Sequence, residues 1–131
     1  MLRSTALSLL LLSAAATGAN AQGLRGETDI NAGLKATATA VELSDNCPGV
    51  NARLLRGINY LRQLEQMAKD RGYSQSEIDA YVDSRKDKKR LEAEARAELS
   101  AKGAVEGDRE SYCKVARAEM AEGSAIGRLL R

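Results

Sequence analysis

Apolar residues recur at helical spacing over most of the chain beyond residue 28, and nowhere do apolar and polar residues alternate as they do in a strand. This pattern predicts helices over about 29–44, 51–71, 75–84, 87–102 and 109–122, followed by a short last turn over 125–130. The predicted fold class is therefore all-α, a small bundle of about five helices.

The predicted second helix has the widest apolar surface. Its apolar residues form two stripes that merge into an arc of roughly 240°, far wider than the ~100° stripe of a surface helix. They are Leu54, Leu55, Ile58, Tyr60, Leu61, Leu64, Met67 and Ala68. We therefore expect this helix at the centre of the bundle. Gly57 lies within the arc, and because an interior glycine costs roughly 1 kcal/mol relative to alanine, it predicts close approach by another helix.

A break is expected between the third and fourth helices. Ser74 and Glu77 have the spacing of a capping box, which begins the third helix. An unbroken helix over 75–102 would be ~42 Å long and would overhang a domain whose radius of gyration is near ~13 Å. Val82 and Leu91 would also lie on opposite faces of it. The chain should therefore break or bend near residues 84–87.

Residues 1–21 have the pattern of a secretory signal peptide. A short start with Arg3 precedes an apolar run over 5–16, and Ala19 and Ala21 form a small-x-small cleavage site before Gln22. Removal of this segment would leave residues 22–131 as a single helical domain. The predicted location is periplasmic, with secretion from the cell as the other possibility.

The only two cysteines, Cys47 and Cys113, are expected to form one disulfide bond in such an oxidising compartment. Closing the long loop between them would stabilise the fold by about 4 kcal/mol in the chain-entropy model. A redox role is the alternative, but it needs a C-x-x-C motif or an activated thiolate, and the sequence shows neither. The chain has no Phe and no Trp, so a covalent link would compensate for a core of small side chains.

Charge and composition exclude several function classes. The chain carries 20 basic and 18 acidic residues, a net charge of +2, and this near-neutrality together with export argues against a nucleic-acid partner. No second apolar segment approaches the ~20 residues of a transmembrane helix. The sequence has no histidine, no glycine-rich phosphate loop and no calcium-loop spacing, so no cofactor and no metal site is predicted.

Carboxylates provide the remaining catalytic possibility. Glu94 and Glu98 are four residues apart on one helix face and could act as an acid and base pair in a hydrolase. The competing interpretation is a solvated face, because lysines and arginines also lie four residues from most glutamates of this helix. We favour the solvated face and predict that the protein is not an enzyme.

A run of positive charge marks the start of the fourth helix. It consists of Arg85, Lys86, Lys88, Lys89 and Arg90. Cations at a helix N-terminus cost up to ~1 kcal/mol, so an acidic partner, an anionic membrane or a cell-wall polymer could bind there. The plain alternative is a solvated helix surface. Farther along, Arg117 and Glu119 are expected either to form a partly buried ion pair or to line a small cleft with Arg128.

Two sets of residues resemble an uncharacterised family of short exported proteins from alphaproteobacteria, known as a domain of unknown function. The first set includes Asn46-Cys47-Pro48 and Gly72-Tyr73-Ser74, and the second includes Ser111-Tyr112-Cys113 and the closing stretch 123–130. The resemblance covers nearly all of residues 22–131. It implies a signal peptide and a helical, disulfide-linked fold, but no activity, cofactor or site residue.

The leading functional hypothesis is a non-enzymatic periplasmic protein that binds or shields another protein of the cell envelope. A periplasmic stress chaperone and a carboxylate-based hydrolase are the alternatives. A concave pocket with convergent polar groups would favour the enzyme, whereas an exposed apolar surface would favour the binding protein.

Overall fold

The computed structural model describes residues 22–131. The predicted signal peptide, including Ala19 and Ala21, lies outside the described residues, so it stays a prediction. Gln22, the residue after the predicted cleavage site, is the first one described.

The all-α fold and its five helices are confirmed. They are α1 (Thr28–Asn46), α2 (Leu54–Asp70), α3 (Gln75–Val82), α4 (Arg85–Ala101) and α5 (Arg109–Glu122). A 3₁₀ turn at Gly23–Gly26 precedes them, and another at Gly127–Leu129 follows them. Within residues 22–131 there is no strand, only two isolated bridges.

The predicted disulfide bond joins Cys47, just after α1, to Cys113 on α5. The two cysteines are separated by 66 residues in sequence, and their Cα atoms lie 5.0 Å apart. The bond therefore closes one end of the bundle and encloses α2, α3 and α4 in its loop.

The central helix is α1, so the prediction that the second helix lies at the centre is wrong. α1 packs against α2, α4 and α5, whereas half of the residues in the wide apolar arc of α2 are exposed to solvent. Leu64 and Ala68 are the buried residues of α2, and Leu54 and Leu55 are 74% and 77% exposed. The physical reason is the small side chains of α1, which let three helices approach its axis closely.

The glycine of close approach is Gly33 on α1, not Gly57 as predicted. A Cβ atom on Gly33 would lie 2.7 Å from the Leu64 side chain and 3.0 Å from the Tyr60 hydroxyl, so α2 packs directly on this glycine. A Cβ atom on Gly57 would have no neighbour within 4 Å among the described residues. The predicted close approach of two helices therefore exists, but the glycine that allows it lies on α1 and not on α2.

The predicted break between α3 and α4 is confirmed. The Ser74 hydroxyl accepts from the Glu77 amide and the Glu77 carboxylate accepts from the Ser74 amide, which is the predicted capping box. At the break, the Ser84 hydroxyl accepts from the Asp87 amide and begins α4. A second serine cap therefore separates the two helices.

α2 begins three residues later than predicted because residues 51–53 pair with the end of the chain. Asn51 exchanges both of its backbone hydrogen bonds with Arg131, and the Arg53 amide donates to the Leu129 carbonyl. The Arg53 side chain also donates to the Leu130 carbonyl at 2.8 Å. An extended segment therefore links the disulfide to α2 and holds the C-terminal residues against it.

The buried side chains form two clusters. The first, which we call the disulfide-end core, consists of Ala36, Ala40, Leu43, Leu99, Ala104, Val115, Ala116, Ile126, Leu129 and Leu130. The second, which we call the groove-end core, consists of Leu24, Ile30, Leu64, Ala68 and Ile78. The groove-end core is half the size, and its helices leave apolar surface uncovered.

Candidate binding groove

An apolar groove crosses the face of α1 between α2 and α4. Two adjoining cavities of about 350 and 470 Å³ form it, and they share Leu34 of α1, Leu61 of α2, and Tyr81 and Val82 of α3. α1 provides the floor, since Thr37, Ala38 and Val41 also line the larger cavity. α4 adds Lys88, Leu91 and Glu92 along the other side. Four helices therefore surround a trough that is open to solvent.

Several large apolar side chains along the groove are exposed to solvent. Val82 is 62% exposed and Val41 is 47% exposed, while Ile58 and Leu61 are 38% and 39% exposed. Each square ångström of apolar surface left in water forgoes about 25 cal/mol. A contiguous exposed apolar surface of this kind is typical of a site that another molecule covers.

The sequence patterns missed this groove because they assigned its apolar residues to the core. Val41, Leu61 and Val82 have helical spacing, which indicates an apolar face but not what covers it. One signal could have revealed the groove. The 240° arc of the second predicted helix is wider than the neighbours available in so short a chain can cover.

A polar network supports the α3 end of the groove. The Tyr81 hydroxyl donates to the Asn31 side chain and accepts from Arg90 at 2.9 Å. Burial raises the pKa of Tyr81, and the nearby Asp87 charge adds to this, although the Arg90 charge opposes it. The ring is therefore held as a neutral, fixed part of the groove wall.

Asp87 joins α4 to the N-terminal turn. Its carboxylate is buried and accepts from Arg25 Nε at 2.7 Å, while Arg90 Nε lies 3.6 Å away. The hydrogen bond from Arg25 lowers the pKa of Asp87 to about 2, against the effect of burial. The contact holds residues 23–26 across the bundle, where Leu24 lines the smaller cavity.

The five residues of the predicted basic site do not share one environment in the structure. Lys88 lines the groove directly. Arg85, Lys86 and Lys89 are exposed on the same first turns of α4, and within the described part of the chain none of these four forms an ion pair. Arg90 is instead half-buried and paired with Glu94 at 2.9 Å, so it belongs to the supporting network.

The proposed pairing of Arg117 with Glu119 is wrong, and so is the cleft with Arg128. Arg117 is exposed and pairs with Glu110, one side chain of the first turn of α5. Glu119 is buried on the opposite side of the helix and accepts from Lys102 Nζ at 2.6 Å. Successive positions on a helix point apart by about 100°, so residues two apart diverge.

Glu119 organises the closing stretch of the chain. The Ser124 hydroxyl donates to the Glu119 carboxylate and accepts from the Gly127 amide at 2.9 Å. Burial would raise the pKa of Glu119, but the hydrogen bonds from Lys102 and Ser124 and the Lys102 charge lower it. The closing stretch 123–130 therefore has a structural role, because Ser124 links it to the buried Glu119 side chain.

The two candidate catalytic carboxylates are not set up as an acid and base pair. Glu94 pairs with Arg90, and Glu98 lies 3.2 Å from Lys35 Nζ and 4.0 Å from Lys102 Nζ. Neither lines the groove. The arrangement matches the ion-paired helix surface that competed with the hydrolase interpretation.

Between Gln22 and Arg131, no group of three or more acidic, cysteine or histidine side chains could hold a metal ion. None of the helices described combines the length and the apolar character that crossing a bilayer requires. The open apolar groove is the feature of residues 22–131 that most resembles a functional site.

Comparison with curated proteins and with solved structures found no match. The model of a family of unknown function, DUF5333, matches residues 22–131, which are the residues that form the helical domain described above. The match includes both cysteines, the groove and the closing stretch around Gly127. The chain belongs to this family of unknown function, DUF5333.

Proposed function

We propose that this protein is a non-enzymatic binding protein that holds an amphipathic helical segment of another protein in the groove over α1. The observation that carries the proposal is the open, apolar trough with exposed Val41, Leu61 and Val82. A helix placed between α2 and α4 would cover these side chains and complete a bundle around α1. Insertion of an apolar helix face into a groove is a recurring mode of peptide recognition.

The chemistry of the partner follows from the α4 side of the groove. Lys88 lines it, and Arg85, Lys86 and Lys89 are exposed on the same first turns of α4, without ion pairs among the described residues. These four cations stand at the electropositive end of α4, where they repel the helix dipole. Carboxylates along one edge of the bound helix would relieve that repulsion. The rest of the groove rim is mainly acidic, with Glu42, Glu65, Asp79, Asp83 and Glu92. The proposed ligand is therefore a helix with one apolar face and an acidic edge confined to the part that lies over the start of α4.

We also propose that the protein acts in the periplasm after removal of residues 1–21. The signal-peptide pattern over those residues supports export, and the Cys47–Cys113 disulfide bond is the kind that persists in an oxidising compartment. The match to the family of unknown function also begins at Gln22, directly after the predicted cleavage site. An intact mass beginning at Gln22 for protein recovered from the periplasm would support this, and a retained leader would contradict it.

The binding proposal is tested with a designed peptide. A labelled helix of leucine, alanine and glutamate, about 16 residues and roughly 24 Å long, matches the length of α4. We expect fluorescence anisotropy to show saturable binding to the wild-type protein. A scrambled peptide of the same composition should not bind, because it has no apolar face. Equal binding of the two peptides would overturn the proposal.

Matched variants locate the binding site. Val82→Asp places a charge in the groove and should reduce affinity by at least about tenfold, the loss expected when apolar contact is replaced by a desolvated charge. Val105→Asp is the control, since Val105 is 57% exposed and lines no part of the groove. Both residues are exposed, so neither variant should alter the melting temperature greatly. Equal losses in both variants would place binding elsewhere.

The charged edge has its own test. Combining Lys86→Glu, Lys88→Glu and Lys89→Glu should weaken binding of the acidic peptide while leaving the helical spectrum unchanged. A peptide with lysine in place of glutamate should show the opposite preference and bind the triple variant more tightly. If the triple variant binds the acidic peptide as well as the wild type does, the acidic-edge part of the proposal is wrong.

A further inference from the structure

A second exposed apolar feature lies at the start of α2, separate from the groove lining. Leu54 and Leu55 are the most exposed large apolar side chains among the described residues. They line a shallow depression with Ala52, Arg53, Arg56 and Arg131, and they line neither groove cavity. Two adjacent leucines therefore project from the protein within a border of arginines.

Positive charge is concentrated near these leucines, and among the described residues no acidic side chain pairs with it. Arg53, Arg56, Arg128 and Arg131 are all exposed, and none of the four forms an ion pair within residues 22–131. Two of them donate to backbone carbonyls instead, Arg53 to Leu130 and Arg56 to Arg128. These bonds hold the guanidinium groups near the leucines without neutralising them.

The backbone beneath this patch is fixed in place. Asn51 and Arg131 exchange two backbone hydrogen bonds of 2.8 and 2.9 Å, and the Arg53 amide donates to Leu129 at 2.7 Å. The disulfide bond at Cys47 anchors the start of the same segment. The leucines therefore project from a rigid platform, so presenting them to a surface requires little ordering of the chain.

We propose that Leu54, Leu55 and the surrounding arginines form a docking surface for an anionic lipid bilayer. The leucines would enter the boundary between headgroups and acyl chains, and the arginines would contact lipid phosphates. A bilayer fits better than a protein because the leucines project outward together and the residues that border them are mainly arginines. Shape and charge both match a flat, negatively charged surface with an apolar interior.

Vesicle co-sedimentation tests the proposal. The disulfide-bonded protein, purified from the periplasm of an expression host, is mixed with vesicles of phosphatidylglycerol and phosphatidylethanolamine, or of phosphatidylcholine alone. We expect binding to the anionic vesicles only. It should be lost at about 0.5 M salt, where the screening length falls to about 4 Å. Equal binding to both vesicle types would overturn the proposal.

Paired variants assign the contact to this patch. Leu54→Ser with Leu55→Ser should lower partitioning by about tenfold, and Arg56→Gln with Arg131→Gln should lower it by a similar factor. Val105→Ser and the pair Arg109→Gln with Lys114→Gln remove exposed apolar surface and positive charge elsewhere, and they should bind as the wild type does. Wild type and variants are compared in the same processed form, so residues 1–21 affect them equally. Undiminished binding by both patch variants would refute the assignment.

Two further arms separate the lipid surface from other ligands. A large excess of inorganic phosphate or soluble glycerophosphate should compete poorly, because neither offers an apolar layer to the leucines. If free phosphate displaces the protein fully, the patch is an anion site and the bilayer proposal fails. If the leucine variant instead changes the protein from a dimer to a monomer in light scattering, the patch is a self-association surface and the proposal also fails.

Discussion

The two ends of the bundle differ in how completely they bury their apolar side chains. At the disulfide end, α1, α4, α5 and the closing stretch bury ten residues in one cluster, and a covalent bond joins its edges. At the other end, the N-terminal turn, α1, α2 and α3 together bury only five residues, and apolar side chains remain exposed in the open groove. The difference indicates that the disulfide end maintains the fold. The groove end is less stable because part of its apolar surface stays exposed.

The largest effect should come from the tightest contact at the disulfide end. A Cβ atom on Gly127 would lie 1.9 Å from the Glu119 carbonyl oxygen and 2.7 Å from the Met120 nitrogen. Both are backbone atoms of α5, which cannot move aside as a flexible side chain could. Gly127→Ala should therefore cost on the order of 4–5 kcal/mol, enough to unfold a domain of marginal stability. Urea titration followed by circular dichroism measures this cost. A variant that unfolds at the wild-type urea concentration would show that this contact is not rigid.

Removing the disulfide bond should have the next largest effect. Replacing Cys47 and Cys113 with serine releases a loop with a sequence separation of 66, which corresponds to about 4 kcal/mol in the chain-entropy model. Thermal unfolding of the double variant, beside the wild type with and without reductant, measures the loss. Agreement of the reduced wild type with the variant would attribute the effect to the bond. An unchanged melting temperature would contradict the role given to the disulfide end.

Leucine truncations compare the two ends directly. Leu43 is fully buried in the disulfide-end core, so Leu43→Ala should cost ~2–5 kcal/mol. Leu61 on the groove wall is 39% exposed, so Leu61→Ala should cost less than about 1.5 kcal/mol, because part of its surface is already in water. Chemical denaturation of both variants makes the comparison. Equal losses would mean that the groove is closed and that Leu61 belongs to a continuous core.

Acid should weaken the groove end through Asp87. Its pKa is about 2 in the folded protein, below the ordinary value near ~3.9, because Arg25 donates to the carboxylate. A lowered folded-state pKa stabilises the protein above the ordinary value, and this contribution is lost as the pH falls from about 4 through 2. Asp87→Asn should therefore lower stability at pH 7 and lose less than the wild type on acidification. Parallel pH profiles of the urea midpoint would contradict this.

The smallest effect should be a gain at the groove end. Gly57 is inside α2, and a Cβ atom there meets nothing within 4 Å, so Gly57→Ala should stabilise the protein by ~1 kcal/mol through helix propensity. Gly57 is one helical turn from Leu61 but lines neither groove cavity. The same variant should therefore bind the acidic amphipathic peptide as the wild type does. A large loss of peptide affinity would place the bound helix against Gly57, outside the groove.

The sequence predicted the local structure well because local signals determine it. Residues close in sequence determine the Ser74–Glu77 capping box and the break near Ser84. The disulfide bond was predictable because two cysteines allow only one pairing. The family resemblance to a domain of unknown function was also confirmed over residues 22–131. Its alphaproteobacterial and exported character stays a prediction.

The packing was predicted less well because periodicity does not identify a neighbour. The apolar arc of α2 is real, but Gly33 rather than Gly57 allows helix contact, so α1 became the centre. The late start of α2 depends on Asn51 pairing with Arg131, a contact between distant parts of the sequence. The groove was missed for the same reason. It exists because the apolar face of α2 has no helix to cover it.

The most direct test of the binding groove is a chemical-shift map of the wild-type protein titrated with the acidic amphipathic peptide. A helix bound in the groove should cause concentration-dependent shifts for the amides of Ala38, Leu61, Val82 and Leu91, which lie on the four helices around it. Amides of the disulfide-end core, such as that of Ala116, should not move. Shifts confined to that core, or no saturable shift along the groove, would show that the groove is not the binding site.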